Sequence, residues 1–246
     1  MTIVPENSGK GVVPTRNVYL LMELVDRVKG RGFGLPGMGT FYGPSGWGKS
    51  SAVIHCALSS HRSYYVQMKS LWSRKSLLEM ILAEMSIVPA RTMPPMLEQI
   101  GKQLAQSGRP LIIDEADYIV KKGMIEVVRD IYEVSQGTVI LVGEENLPGH
   151  LEAIERVHGR MLDWVAAQPA DMDDAKMFAG QLCPGVVVAD DLLERFVEAA
   201  RGSARYLCNN LNRLAEFCRL QNRSEIAAQD YSAPLFTGKA PEGRKL

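Results

Sequence analysis

The sequence has no excess of charge of either sign. Its 28 lysines and arginines are matched by 28 aspartates and glutamates, so the formal net charge is zero. Proteins that hold nucleic acid through a general positive field carry a surplus of basic residues. Any binding of DNA by this chain must therefore come from a local basic patch.

Long apolar runs and metal-ligand patterns are also missing. No apolar run approaches the 18 residues of a membrane-spanning helix, and the first eleven residues, MTIVPENSGKG, contain no apolar signal core. Cysteines occur only at Cys56, Cys183, Cys208 and Cys218, among apolar neighbours and without the spacing of zinc ligands. These absences predict reduced thiols in a cytoplasmic protein.

A phosphate-binding loop is present at residues 43–50. The segment GPSGWGKS fits the pattern G-x-x-x-x-G-K-S, in which glycines let backbone N–H groups approach a triphosphate closely. The lysine reaches the β- and γ-phosphates and the serine hydroxyl ligates Mg²⁺. A strand-like segment, 39–42, precedes the loop and a helical segment, 51–59, follows it, as such a loop requires. The residues predicted to bind ATP are Gly43, Pro44, Ser45, Gly46, Trp47, Gly48, Lys49, Ser50 and Ser51.

A second motif predicts hydrolysis of the bound nucleotide. Residues 110–115, PLIIDE, form an apolar run that ends in two carboxylates, as a buried parallel strand does where its carboxyl end meets a ligand. Asp114, together with Ser50, is predicted to hold Mg²⁺, and Glu115 is predicted to orient and deprotonate the attacking water. Kinases with a phosphate loop do not usually need the second carboxylate, because their acceptor is a substrate hydroxyl. The pair therefore favours an ATPase.

The segment 114–117 also spells DEAD, the motif of a class of RNA helicases. Those helicases need two tandem RecA-like domains, and 246 residues cannot hold both. Their other signatures are missing as well. We therefore set this interpretation aside.

Hydrophobic periodicity divides the chain into two structural regions. Strand and helix patterns alternate from residue 40 to 167, which predicts an α/β fold with a parallel sheet covered by helices on both faces. Three helical patterns follow in 171–180, 190–201 and 203–220, which predict a small all-helical lid. The predicted organisation is a flexible arm at 1–14, a nucleotide-binding α/β domain at 15–169, a helical lid at 170–225 and a flexible tail at 226–246.

A P-loop α/β domain followed by a helical lid resembles the AAA+ ATPases. Residues 112–117 read IIDEAD and the next strand ends in Val142-Gly143, which is similar to the branch of replication initiators and transposition regulators. Within it the chain looks most like the phage target-DNA activators and the TnsC and TniB transposition ATPases, over about 20–225. The resemblance implies a bacterial host cell, Mg²⁺ and ATP as cofactors, and a homo-oligomeric ring or filament. It also implies non-specific double-stranded DNA and a transposase as partners.

The same resemblance implies three more catalytic roles. The sensor-one residue follows the fourth strand, where Glu144 holds the aligned position and Asn146 is the better hydrogen-bonding candidate. An arginine finger lies just before the fifth strand, and of Arg156 and Arg160 the spacing favours Arg160. The sensor-two arginine opens a helix after a glycine, as Arg205 does.

Basic residues near the second strand and after the acidic motif are the candidate DNA contacts. Stacked subunits would repeat these few charges along the phosphate backbone, which gives affinity without sequence reading. His61 belongs to the first cluster in sequence. The residues predicted to contact DNA are Arg62, Lys69, Trp72, Arg74, Lys75, Lys121 and Lys122.

The sequence thus predicts an ATP-dependent, non-specific DNA-binding ATPase that assembles on target DNA and recruits or stimulates a transposase. A helicase loader, a replication initiator or a secretion ATPase would have the same fold. A small-molecule kinase with a phosphate loop and a nucleotide-gated scaffold with little hydrolysis are alternatives of other classes. Phosphate transfer to an acceptor without DNA would identify the kinase.

Overall fold

The computed structural model of the chain describes residues 11–59 and 62–239. Its contacts divide it into two compact units. The first holds the residues up to Pro44 together with Lys49–Ala167, and the second holds Ser45–Gly48 together with the residues from Gln168 onwards. Most of the predicted N-terminal arm, and His61, lie outside the described residues.

The first unit is built on a five-stranded parallel sheet. Its strand order is β2-β3-β4-β1-β5, and every neighbouring pair is parallel. All residues of β3 and β4 are buried, as in strands covered by helices on both faces. The predicted parallel sheet is therefore confirmed. The strands are β1 (Met38–Tyr42), β2 (Tyr64–Gln67), β3 (Leu111–Asp114), β4 (Val139–Gly143) and β5 (Met161–Ala166).

The described part of the first unit also contains eight helices, of which α1 precedes β1 and the other seven lie between strands. Local signals set several of their ends: the Ser73 hydroxyl accepts a hydrogen bond from the Ser76 N–H at the start of α3, and Gly108 ends α4 in a left-handed conformation with φ of 61°. The helices are α1 (Arg16–Lys29), α2 (Lys49–Leu58), α3 (Arg74–Glu84), α4 (Met93–Ser107), α5 (Asp117–Lys121), α6 (Ile125–Ser135), α7 (Leu147–Glu152) and α8 (Glu155–His158).

The elements α5 and α6 lie between the acidic motif and the fourth strand, where no helix is predicted from the sequence. The signal for α6 is present, since Ile125, Val128, Ile131 and Tyr132 are buried at helical spacing. The short α5 has only one turn and no such period. These helices return the chain from β3 to β4, as a right-handed parallel connection requires.

Three helices form the main part of the second unit, as predicted. The unit also contains a two-stranded parallel pairing of β6 with β7 and a 3-10 turn at Ala228–Asp230. Their core is a separate cluster of buried apolar side chains. The elements are α9 (Met172–Leu182), β6 (Val187–Val188), α10 (Asp190–Ala200), α11 (Ala204–Gln221) and β7 (Glu225–Ile226).

The region beyond residue 225 differs from the flexible tail that the sequence predicts. Ile226 and Tyr231 are buried, and the Tyr231 ring packs edge-on against Phe196 and Phe217. Phe236 packs in the same way on Tyr206. These apolar residues pack individually and at irregular spacing, so the sequence of this region shows no hydrophobic periodicity. Only residues 240–246 of the predicted tail lie outside the described residues.

Among the described residues, no helix combines the length and the apolar character that crossing a bilayer requires. All four cysteines are described, and none of them forms a disulfide.

Candidate nucleotide site and basic groove

The phosphate loop has the backbone shape that its glycines predict. Gly46 and Gly48 each have φ of +86°, which glycine adopts at no steric cost. Lys49 is the first residue of α2, and its ammonium donates to the carbonyl oxygens of Gly43 at 2.6 Å and Pro44 at 2.9 Å. The cation therefore lies within the curve of the loop.

Part of this loop packs on the first turn of α11, within the second unit. The Gly46 carbonyl accepts from the Arg205 backbone N–H at 3.1 Å and from the Ser203 hydroxyl at 3.5 Å. A Cβ atom at Gly46 would lie 2.7 Å from the Ser203 Oγ, so only glycine fits there. Arg205, predicted as sensor two, thus lies directly beside the loop.

Two carboxylates end β3 as predicted, and the first is firmly held. Asp114 is buried; its Oδ1 accepts from the Glu115 backbone N–H at 2.9 Å, and its Oδ2 accepts from the Tyr65 hydroxyl at 3.4 Å. Glu115 has φ of +57°, a left-handed conformation that costs a residue with a side chain on the order of 1–2 kcal/mol. Such strain often marks a functional position.

The ionisable groups of this edge influence one another. Burial lowers the pKa of Lys49, and the charges of Asp114 and Glu115 act against that shift. Burial also raises the pKa of Glu115, and the nearby charges of Asp114, Asp117 and Glu144 raise it further, against the effect of Lys49. The charges of four carboxylates, Asp114, Glu115, Asp117 and Glu144, thus act on one ammonium, and the excess of negative charge suits a divalent cation.

The donor set fits ATP with Mg²⁺. Mg²⁺ prefers oxygen ligands and is commonly held by one or two protein groups together with substrate phosphates, rather than by an all-protein cage. The Ser50 hydroxyl and the Asp114 carboxylate are donors of this kind, next to a loop that can hold the phosphates. In the part of the chain that the structure describes, no group of three or more His, Cys, Asp or Glu side chains is placed to hold a metal ion by itself.

The two sensor-one candidates differ in their surroundings. The Glu144 backbone N–H donates to the Asp117 Oδ2 at 2.7 Å. The Glu144 charge opposes the lowering of the Lys49 pKa by burial and adds to the raising of the Glu115 pKa by burial. Asn146 is exposed at the start of α7 and makes no side-chain cap with that helix. The structure therefore places Glu144 with the acidic group, and the role of Asn146 stays a prediction.

The two finger candidates lie before β5, as predicted. Arg160 is about two-fifths exposed, and its Nε and Nη2 both bond to the Glu133 Oε1 of α6 at 2.6 Å. Arg156 is exposed on α8. Sequence reasoning did not identify Glu133, which precedes Arg160 by 27 residues and has no motif around it.

Most of the predicted DNA contacts meet at the carboxyl end of β2. The Lys122 ammonium donates to the Trp72 carbonyl at 3.0 Å, and the Arg74 Nη2 donates to the Gly123 carbonyl at 3.1 Å. The ammonium of Lys121 lies 5.9 Å from the centre of the Tyr118 ring. An open cavity of about 590 Å³ lies here, and we call this cavity, together with the basic residues near it, the basic groove. Its lining contains one basic side chain, Lys69, and one acidic side chain, Glu115, together with Gln67, Met68, Ser70, Leu71, Trp72 and Tyr118.

Arg62 is not part of the basic groove. It precedes β2, whereas Lys69 follows it, so the two are separated by the whole strand, roughly 13 Å for four residues. The Arg62 carbonyl accepts from the Arg109 guanidinium, which lies over the Tyr64 ring. The predicted cluster on both sides of the strand is thus two separate groups. Sequence reasoning also missed Tyr118 and the 93% exposed Leu71, which have no charge to mark them.

One family model matches part of the chain. The family model of the AAA domain matches residues 34–151, which include the phosphate loop and the acidic motif. No curated protein matches the sequence.

Solved structures with the same fold include two ORC proteins and a Cdc6 protein. The Aeropyrum pernix ORC2 protein, in ADPNP-ADP complexes, is similar with a TM-score of 0.65 and 14% identity over 88% of this chain and 66% of that chain. The Aeropyrum pernix ORC1 protein in complex with DNA has a TM-score of 0.61 and 18% identity, over 92% of this chain and 66% of that chain. Cdc6p from Pyrobaculum aerophilum has a TM-score of 0.59 and 16% identity, over 93% of this chain and 67% of that chain. The fold is that of a P-loop AAA+ ATPase with a helical C-terminal part, and the chain spans about two thirds of the length of these proteins.

Proposed function

We propose that this protein binds and hydrolyses ATP and that ATP controls its assembly on DNA. The observation that carries the proposal is the Lys49 ammonium held by the Gly43 and Pro44 carbonyls inside the phosphate loop, with the buried Asp114 and the left-handed Glu115 at the end of β3. A binding loop alone would serve any nucleotide-binding protein. The strained second carboxylate, Glu115, is what favours hydrolysis.

The residues divide the chemistry among themselves. Lys49 and the loop N–H groups bind the phosphates, and Ser50 and Asp114 would hold Mg²⁺, which supplies positive charge to the phosphate oxygens. Glu115 orients a water and accepts its proton while the water oxygen bonds to the γ-phosphorus. The bond from that phosphorus to the bridging oxygen breaks, and the leaving electrons remain on ADP. The Tyr65 hydroxyl keeps the Asp114 carboxylate in place.

Three further roles belong to the same proposal. Arg160, or else Arg156, stabilises the charge that develops on the γ-phosphate of a neighbouring subunit. Asn146 is the sensor-one candidate and Arg205 the sensor-two candidate. The Arg160–Glu133 ion pair gives a single subunit an internal partner for the finger, so the finger must exchange partners on assembly.

Double-stranded DNA would contact the basic groove. Lys69, which lines it, is exposed, and so are Lys75, Lys121 and Lys122. A subunit with a net charge of zero has few phosphate contacts, so tight binding needs several subunits along the duplex. Contacts of this kind do not read the bases.

The specific biological role that we propose is a target-DNA activator that recruits or stimulates a transposase. The IIDEAD and Val142-Gly143 motifs support the branch of replication initiators and transposition regulators, and the choice within that branch rests on the resemblance to the transposition ATPases. A replication initiator or helicase loader is the second candidate, and the structural likeness to the ORC and Cdc6 proteins favours it. A secretion ATPase and a small-molecule kinase remain as other outcomes of the tests.

The deciding experiment measures ATP hydrolysis with and without double-stranded DNA, in the absence of any phosphate acceptor. We expect hydrolysis that depends on Glu115 and assemblies on DNA in electron microscopy with ATP but not with ADP. Stimulation of strand transfer by a purified transposase would identify the activator, and loading of a helicase would identify the second candidate. Hydrolysis that appears only with a small-molecule acceptor would contradict the proposal.

A further inference from the structure

The segment after β7 follows α11 and is fixed to it by a buried asparagine. Asn210 lies on α11 and is fully buried. Its side-chain oxygen accepts from the Phe236 backbone N–H at 2.7 Å, and its side-chain nitrogen donates to the Phe236 carbonyl at 3.1 Å. A buried amide that satisfies both backbone groups of one residue determines where that residue lies along the helix.

Phe236 and Gly238 of this segment both lie against Tyr206 of α11. The Phe236 ring packs edge-on against Tyr206, with ring centres 5.3 Å apart, and the Arg213 guanidinium lies 5.1 Å from the Phe236 ring centre. Gly238 has φ of +77°, and a Cβ atom there would overlap the Cζ and hydroxyl of Tyr206. The backbone at Gly238 is therefore in close contact with the tyrosine.

Tyr206 belongs to the helical turn that touches the phosphate loop. Its backbone N–H donates to the Ser203 Oγ at 3.2 Å, and Ser203 caps α11. Ser203 and Arg205 are the two residues that bond to the Gly46 carbonyl. A continuous line of contacts thus runs from Phe236 and Gly238, through Tyr206 and the first turn of α11, to the backbone of the phosphate loop.

We propose that residues 231–238 act as a strap that holds the first turn of α11 against the phosphate loop, with Phe236 and Gly238 as positioning residues for nucleotide binding. This inference rests on the proposed binding of ATP. The N–H groups of the loop bind phosphates only when they are directed at them, so a shift of the Gly46 carbonyl alters the geometry of the loop itself. No phosphate contact by the strap is required.

The structure offers a matched pair of glycines to test the strap. Gly238 and Gly185 have nearly equal φ values, +77° and +78°, but a Cβ atom at Gly185 meets nothing within 4 Å. Alanine at either position brings the same backbone strain, and only Gly238→Ala adds the overlap with Tyr206. We expect Gly238→Ala to weaken ATP binding by roughly tenfold relative to Gly185→Ala, which corresponds to about 1.4 kcal/mol.

A second pair keeps the backbone unchanged. Phe236→Ala removes the ring from Tyr206 but leaves the backbone groups that bond to Asn210, and Phe236→Tyr keeps the ring. We expect weaker ATP binding for Phe236→Ala and near-wild-type binding for Phe236→Tyr. This pair decides the matter if Gly238→Ala does not fold.

The measurement is the Kd for ATP by calorimetric titration, at a temperature where circular dichroism shows each variant to be folded. A purely structural strap would lower the melting temperature and leave the Kd at its wild-type value, and that result overturns the inference alone. Failure of the wild-type chain to bind ATP overturns the proposed function, and the inference with it.

Discussion

At the scale of single residues, Glu115 combines two unfavourable features. Its backbone is left-handed, and its carboxyl group is partly buried beside Asp114 and Asp117, which raises its pKa. Neither feature stabilises the fold. Both are understandable where a carboxylate must be directed at a water molecule, because a charged group placed by a rigid turn needs little reorganisation during the reaction.

Replacing Glu115 by glutamine should keep ATP binding and lower the rate of hydrolysis by about 10²–10⁴-fold, since the amide cannot accept the proton of the water. The wild-type rate should fall on acidification as Glu115 becomes protonated. Because its pKa is raised above the ordinary 4.5, this loss should begin at a higher pH than for an ordinary glutamate. A pH–rate profile and a single-turnover assay check both. A variant rate within a few-fold of wild type would exclude Glu115 as the base.

The backbone strain at Glu115 can be measured separately from its chemistry. Glu115→Ala and Glu115→Gly both remove the carboxylate, but only glycine adopts φ of +57° without cost. Glu115→Gly should therefore be more stable than Glu115→Ala by about 1 kcal/mol. Urea denaturation of the two variants measures the difference, and equal stabilities would show that the left-handed conformation costs nothing here.

Lys49→Ala should abolish measurable ATP binding. The variant lacks the ammonium that the Gly43 and Pro44 carbonyls hold in the loop, and with it the positive charge that binds the phosphates. Lys102→Ala, on the exposed side of α4, is the matched control for loss of one lysine. Calorimetric titration of both variants is the measurement. Wild-type affinity in Lys49→Ala would contradict the assignment of the phosphate loop.

At the scale of elements, β2 separates two basic groups that the sequence places close together. Arg62 lies before this strand with Arg109, and Lys69 lies after it with the basic groove. Parallel strands bring their carboxyl ends to one edge of the sheet, which is the edge where ligands bind in such folds. Lys69 is therefore on the same edge as Glu115, and Arg62 is on the opposite edge.

Charge reversal at the two ends of β2 tests this separation. Lys69→Glu, and the pair Lys121→Glu with Lys122→Glu, should weaken binding to all DNA sequences alike and reduce the salt dependence, by about one unit of slope for each lost phosphate contact. Arg62→Glu should have a much smaller effect. Fluorescence anisotropy with ATP, at several salt concentrations and on unrelated duplexes, checks this. A strong sequence preference would contradict the non-specific mode.

At the scale of the whole molecule, the proposed active site needs a second subunit. Arg160 is paired with Glu133 of its own chain. An exposed ion pair of this kind is worth only about 0–1 kcal/mol, so a neighbouring γ-phosphate can compete for the guanidinium. Assembly and hydrolysis would then be linked through one arginine.

Mixing two inactive variants tests the shared site. Arg160→Ala and Glu115→Gln should each lack hydrolysis while still binding ATP. In the mixture, some interfaces combine Arg160 from the Glu115→Gln subunit with Glu115 from the Arg160→Ala subunit, and hydrolysis should partly recover there. A steady-state assay of the mixture, with each variant alone as control, is the measurement. Full activity of Arg160→Ala alone would leave Arg156 as the remaining finger candidate.

Local patterns in the sequence determined the phosphate loop, the acidic strand end, the parallel sheet and the helical second unit. Each depends on neighbouring residues: glycine spacing for the loop, an apolar run for β3 and helical periodicity for α9 to α11. The short α5 and the region from residue 226 could not be recognised in this way. Single side chains such as Phe236 anchor that region on distant helical residues, and no short-range pattern records such contacts.

Only the tertiary structure decided which distant residues meet. It placed Glu144 with the acidic group, paired Arg160 with Glu133, and separated Arg62 from Lys69. The physical reason is that strand order and register, not distance along the chain, set which side chains share an edge of a sheet. Two residues that flank one strand, such as Arg62 and Lys69, lie at opposite edges of the sheet although they are close in sequence. Lys49 and Asp114 are 65 positions apart, and they interact because β1 and β3 end at the same edge.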